Sequence, residues 1–177
     1  MRKLEIGCNN QRILGEDWKT MDILPGENVD IVADIEQPLP IKDNSYDLIY
    51  MSHILEHVAW YKTIDVLKEL FRILRPGGTI EIFVPDIDKI ISAYQKGIIP
   101  DEWYKYNEEK NPFLWFVGRL FTYGTHDTDF HRAAFSKKHL QECLEKAGFI
   151  DIMIAKIPRG ISHGYINLGM KGSKPCV

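Results

Sequence analysis

Cysteine is scarce in this sequence of 177 residues. It occurs only at Cys8, Cys143 and Cys176, far apart and with no C-x-x-C pair. That pattern argues against a disulfide framework and a structural zinc site, and fits a reducing compartment. No apolar run approaches the roughly 18 residues needed to span a bilayer. Repeats, low-complexity tracts and a second domain are also missing. Positive charge is not in excess: 22 Lys and Arg face 25 Asp and Glu, for a net charge of −3. A broad basic nucleic-acid surface is therefore not expected, although a local basic groove remains open. A first strand that begins by residue 3 leaves no length for a signal peptide, so a cytoplasmic protein is expected.

What is present suits one globular domain. The hydrophobic fraction is 45% and the charged fraction 27%, and a chain of this length buries roughly 70% of its unfolded surface without needing staples. Residues 1–177 read as a single domain, with an aromatic-rich cap insertion over 97–130. That insertion holds Trp103, Tyr104, Tyr106, Phe113, Trp115, Phe116, Phe121 and Tyr123. Its aromatics fit cap packing, and the 103–123 region is a candidate homodimer surface.

In Leu4-Glu5-Ile6-Gly7-Cys8, two apolar residues mark a short buried strand, and Glu5 between them needs a partner. Gly7 opens a turn where backbone can approach a ligand. The next stretch, 8–17, has room for one or two helical turns at most. Further strands are read at Trp18–Ile23, Val29–Asp34, Ser45–Met51 and Thr79–Val84. Helical character runs from His53 to Leu74, where Val66, Leu67, Leu70, Phe71 and Leu74 form an apolar face, and Arg75-Pro76-Gly77-Gly78 stops it. A helix follows over Asp88–Lys96. Ser136 caps another that ends at Gly148. The last strands are Phe149–Lys156 and Gly164–Met170, one of them antiparallel, followed by a frayed tail over 171–175.

Strands alternating with helices predict an α/β, three-layer Rossmann-like sandwich. Its seven-stranded sheet is expected to be mostly parallel, with an antiparallel strand near the C-terminus. Ligands of such sheets bind at the carboxyl ends of the strands. Gly7, Asp22, Asp34, Ser52-His53 and Pro85-Asp86 stand at those ends.

Two further segments carry candidate chemistry. His53-Ile54-Leu55-Glu56-His57 matches H-x-x-E-H, in which His53 and His57 on a helix could bind zinc with Glu56 as base. Its position directly after a strand argues against that reading. In Thr125–Arg132, His126 and His131 are candidate general bases, and Arg132 could hold an anionic substrate. A metal set of His126, Asp127 and His131 is a lesser alternative, and no metal is expected.

Taken together, Leu4–Cys8, the strand-end acids Asp22 and Asp34, Tyr46-Asp47-Leu48-Ile49, Ser52–His57 and Arg75–Gly78 give a pattern that resembles the class I S-adenosylmethionine-dependent methyltransferases, of the small SHxLEH/RPGG type. The resemblance covers roughly residues 3–86, and more loosely 131–170. It implies S-adenosyl-L-methionine as cofactor, with Glu5, Gly7, Cys8 and Asn9 at its methionine end. Asp22 with Ile23 would meet the ribose, Asp34 with Ile35 the adenine, and Ser52 or His53 the amino-acid end. His131, His57 or His126 would serve as catalytic base, and Asp86 and Arg132 would contact substrate.

The chain departs from the family's glycine pattern, with Asn9 and Gln11 at the later glycine positions and no long first helix. Methyl transfer to a small-molecule, lipid or glycan acceptor is the leading expectation. A catalytically inactive binding module of the same fold and a zinc hydrolase using His53, Glu56 and His57 are the alternatives.

Overall fold

The computed structural model describes residues 1–99, 110–122, 124, 126–161 and 163–176. Seven strands form one sheet: β1 (Lys3–Ile6), β2 (Trp18–Asp22), β3 (Ile31–Val32), β4 (Tyr46–Ser52), β5 (Leu74–Pro85), β6 (Ile150–Ile154) and β7 (Asn167–Ser173). Their order is β3-β2-β1-β4-β5-β7-β6. Pairing is parallel from β3 to β5, and β7 lies antiparallel to both β5 and β6. This is the expected α/β Rossmann-like architecture.

Period-two alternation sorts the two faces. Leu4, Ile6, Met21, Ile49, Met51, Ile80 and Ile82 face the main core. There they meet α1 (Thr63–Ile73) and α4 (Lys137–Ala147). The helix α4 has the expected ends: Ser136 Oγ accepts from the His139 amide at 3.2 Å, and Gly148 closes it at φ 103°. The opposite face carries Trp18, Leu48, Tyr50 and Phe83, packed against Leu14 and Ala155. Among the described residues this third layer is thin, because Leu14 and Ala155 come from irregular chain.

Four expectations change. The strand read over 29–34 is reduced to Ile31–Val32 because Asp30 folds back onto β2. Its carboxylate accepts from the Thr20 amide at 2.9 Å and pairs with Arg12 and Lys19 at 3.0 Å; these bonds, led by that of Arg12, hold its pKa far below the usual carboxylate range. The helix read from His53 starts only at Thr63. His53 has φ 57°, a left-handed geometry that no continuing α-helix accepts. Residues 55–57 and 60–62 form single 3-10 turns instead. Arg75–Gly78 ends α1 as expected, yet is drawn into the long β5.

The tail is not frayed: Lys171–Ser173 complete β7. The Lys174 ammonium then donates to Asn44 Oδ1, Phe71 O and Leu74 O at 2.8–2.9 Å.

In the aromatic region, α3 (Pro112–Phe121) is capped by Asn111. Trp115 is fully buried with Ile90, Ala93 and Ile166, beside α2 (Ile87–Lys96), while Phe113 and Phe121 are exposed. Trp103, Tyr104, Tyr106 and Tyr123 lie outside the described residues. Among the described residues, no helix is long and apolar enough to cross a membrane.

Lys174 closes the end of α1 with charge-assisted bonds. Lys174→Met keeps the stem and removes the donors, leaving Phe71 O and Leu74 O unpaired. The expected loss is about 1–3 kcal/mol in urea denaturation; an unchanged midpoint would show that the staple contributes nothing.

Candidate functional site

Strand order reverses between β1 and β4, and a cavity of about 650 Å3 opens at the carboxyl ends there. Its floor is the turn after β1. Gly7 has φ 78°, and a Cβ on it would lie 1.9 Å from Ile54 Cδ1. A side chain there would displace Ile54 and strain a backbone that suits glycine. Asn9 and Asn10 follow, also left-handed at φ 48° and 54°. Asparagine tolerates this geometry better than most residues, so the two provide the turn without glycine. Among the described residues 8–17 there is no helix.

Hydrogen bonds tie this turn to β2 and to the loop beyond it. The Gly7 amide donates to Met21 O at 2.8 Å. Asp22 accepts from the Asn9 amide through Oδ2 at 2.9 Å and from the Leu24 amide through Oδ1 at 3.2 Å. Asn10 Oδ1 accepts from the Asn28 amide at 2.8 Å. Asp34 holds the next turn, its Oδ1 accepting from the Glu36 amide at 2.8 Å.

The far wall comes from β4 and from the connection between β6 and β7. His53 Nε2 meets Asn167 Oδ1 at 2.7 Å, and its ring stacks on His163 with centroids 3.7 Å apart. Burial, then the neighbouring His53, lowers the His163 pKa to about 4. Arg159 makes a bidentate pair with Glu81 and so ties that connection to β5. Arg132 enters the rim already paired to Glu36 at 2.8 Å, and Lys62 meets the same carboxylate at 3.2 Å.

The chemistry of the walls is acceptor-rich. Glu5 is buried with Oε2 lacking a hydrogen-bond partner, and Ser52 Oγ is likewise buried and unpartnered among the described residues. Burial raises Glu5 to about 6. Three carboxylates, of Glu5, Asp22 and Asp34, thus face one cavity. They suit a ligand that offers hydroxyls, an amino group and positive charge, as S-adenosylmethionine does.

Comparison with known proteins agrees with this fit. Residues 4–82 match a family model described as a methyltransferase domain. Demethylmenaquinone methyltransferases of Staphylococcus aureus strains are 26% identical over 151 residues, which is 82% of this chain. The chain spans 56% of the length of these curated relatives. A solved S-adenosylmethionine-dependent methyltransferase of Archaeoglobus fulgidus has TM-score 0.64 and 18% identity, covering 98% of this chain and 86% of that one. One from Thermotoga maritima, titled a possible histamine N-methyltransferase, has TM-score 0.59 and 23% identity, covering 98% and 82%. At these identities, the likeness to the solved structures is one of fold.

The chain has the Rossmann-like fold of the S-adenosylmethionine-dependent methyltransferases, and its residues 4–82 match a methyltransferase domain.

Every residue expected at the cofactor lines the cavity: Glu5, Gly7, Cys8, Asn9, Asp22, Ile23, Asp34, Ile35, Ser52 and His53. The residues expected at the acceptor divide. His57 and Arg132 line the cavity. His131 does not; it turns inward to a small separate void, with Nδ1 3.2 Å from Arg119 O. His126 is exposed and heads the 3-10 turn 127–129, and only the residues of that turn reach the cavity. Asp86 is buried away from the cavity as the N-cap of α2, its Oδ1 accepting from the amides of Asp88 and Lys89. The zinc set His53, Glu56 and His57 does not share a helix face, because 53–57 is not α-helical.

Glu36, Tyr50, Gly160, Ile161 and His163 also line the cavity and were not singled out from the sequence. A Gly-rich link carrying a histidine between the last two strands was the available signal.

Glu5 holds its proton more tightly when folded than its usual 4.5. Stability is therefore lost as pH rises from about 4.5 through about 6, and the full penalty applies above that. Glu5→Gln is expected to stabilise the unliganded protein at pH 7.5 by up to about 2 kcal/mol, with the gain vanishing near pH 4. Denaturant titrations at the two pH values measure it, and an equal gain at both refutes the burial penalty.

Proposed function

We propose that this chain binds S-adenosylmethionine in the cavity at the β1/β4 switch point and transfers its methyl group to a small-molecule acceptor. The observation that carries the reading is the convergence of Glu5, Asp22 and Asp34 around a left-handed turn at the end of β1. Asp22 retains lone pairs for the ribose hydroxyls. Asp34 accepts from the adenine amino group while Ile35 packs on the ring. Glu5 and Ser52 Oγ face the cationic methionine end, where a ligand charge supplies the partner that Glu5 lacks.

When bound, the cofactor supplies an activated methyl. The chain's own residues then position the acceptor and take its proton. Three imidazoles line the cavity, of His53, His57 and His163; both ring nitrogens of His53 are turned to Asn167 and Glu56, which leaves His57 and His163 for that purpose. The Glu36–Arg132–Lys62 group shapes the adjoining rim. The curated relatives are demethylmenaquinone methyltransferases, which supports a small-molecule acceptor, and a quinol-like hydroxylated ring is the first candidate to assay. Lipid and glycan acceptors belong in the same screen.

Titration calorimetry with S-adenosylhomocysteine tests the cofactor reading. Saturable binding is expected, at least about tenfold weaker in Asp22→Ala, since an ionised acceptor is removed. No heat at millimolar ligand sinks the proposal. Binding without turnover on any acceptor, assayed with labelled cofactor, would instead favour a binding module, the reading to which the missing helix after Gly7 lends some weight.

A further inference from the structure

The wall between the cavity and the small void beside it contains a carboxylate that the cofactor reading does not use. Glu56 is 1% exposed, and neither of its oxygens has a hydrogen-bond partner among the described residues. His53 Nδ1 stands 3.2 Å from Oε1 as an ion-pair contact. A buried carboxylate in this condition costs several kcal/mol unless a cation compensates it.

Two histidines adjoin it. The His57 and His131 rings meet edge to face, with centroids 5.0 Å apart. Each has Nδ1 at 3.2 Å from a backbone carbonyl, of Phe130 and of Arg119 respectively. A carbonyl can only accept, so Nδ1 carries the proton and Nε2 the lone pair. Imidazoles held in this way by a backbone carbonyl are a usual support for metal-bound histidine. One ligating atom from each of Glu56, His57 and His131 lies within 4.8 Å of the others. The void bounded by Glu56 and His131 has a volume of about 10 Å3, the scale of a single water or ion. His57 opens on the main cavity.

We propose that Glu56, His57 and His131 form a site for one divalent transition-metal ion of the zinc class, set in the wall of the cavity. Two imidazoles and one carboxylate favour zinc, cobalt or manganese over magnesium and calcium, which prefer oxygen. Three protein ligands leave a coordination position open. Ligands about 2.0–2.2 Å from one ion stand roughly 3.3–3.5 Å apart, so the cluster must contract by about 1 Å. Rotation about the side-chain bonds of the two imidazoles supplies such a shift.

Arg119 also borders the void, so the ion competes with a cation for Glu56. His53 is a positioning residue here rather than a ligand: its Nε2 is committed to Asn167, while its Nδ1 faces Glu56. The set differs from the H-x-x-E-H reading, because His131 replaces His53.

The test needs no cofactor, so it fails or succeeds independently of methyl transfer. The full chain is stripped with chelator, dialysed against zinc, cobalt or magnesium, and assayed by elemental analysis. Circular dichroism checks that it remains folded. About one zinc per chain is expected, a visible cobalt spectrum with nitrogen ligation, and little magnesium. His57→Gln and His131→Gln are each expected to weaken zinc binding by at least about tenfold. Folded, stripped protein that takes up no zinc or cobalt overturns the site. So does a folded His57→Gln/His131→Gln double variant that keeps the wild-type stoichiometry, or magnesium bound as tightly as zinc.

Discussion

The parallel pairing of β1 with β2 on one side and β4 on the other is the constraint on which the rest depends. It brings the carboxyl ends of three strands to one edge and sends their connections outward from the same place. Glu5, Asp22 and Ser52 are separated widely in sequence, but their strands end side by side. A one-residue slip of β1 would turn Leu4 and Ile6 out of the core and Glu5 into it. The main core therefore enforces the register that the cavity needs.

A second theme is how the turn after β1 keeps its shape without its usual glycines or a following helix. A helix N-terminus would offer free amides to a ligand. Here the turn's backbone is spent on neighbours instead: Asn9 on Asp22, Asn10 on Asn28, Gly7 on Met21. Side-chain carboxylates and amides thus do the organising that helix geometry does elsewhere. The cost shows on that face of the sheet, where, among the described residues, Trp18, Tyr50 and Phe83 are packed by Leu14 and Ala155 from irregular chain.

The sequence was most legible where burial and strand periodicity coincide. β1, β2, β4 and the carboxyl-edge acids could be read because each signal is local and the topology rule is general. α4 was legible from Ser136 and Gly148, which act at its own ends. What was not legible depended on partners distant in the chain. The His53 backbone is left-handed and the Ile54 side chain packs onto Gly7, so no helical periodicity could reveal where α1 starts. Asp30 left its strand for Thr20 and Arg12. Asp86 looked like a site acid and serves as a cap. His131 looked as accessible as His126, but its ring turns toward Glu56, a pairing set by the Arg132 and Ala133 amides donating to Glu56 O.

The antiparallel β7 between β5 and β6 has a consequence for how the protein comes into being. Because β7 inserts beside β5, the link carrying Gly160 and His163 must cross the carboxyl edge and becomes the far wall of the cavity. The near wall is made from the first strand. During synthesis the turn after β1 emerges long before the link at 160–163 that faces it. Such long-range closure is slow relative to local helix formation. Ligand affinity therefore arises only when both walls have closed on one another, making cofactor binding a reporter of that long-range contact.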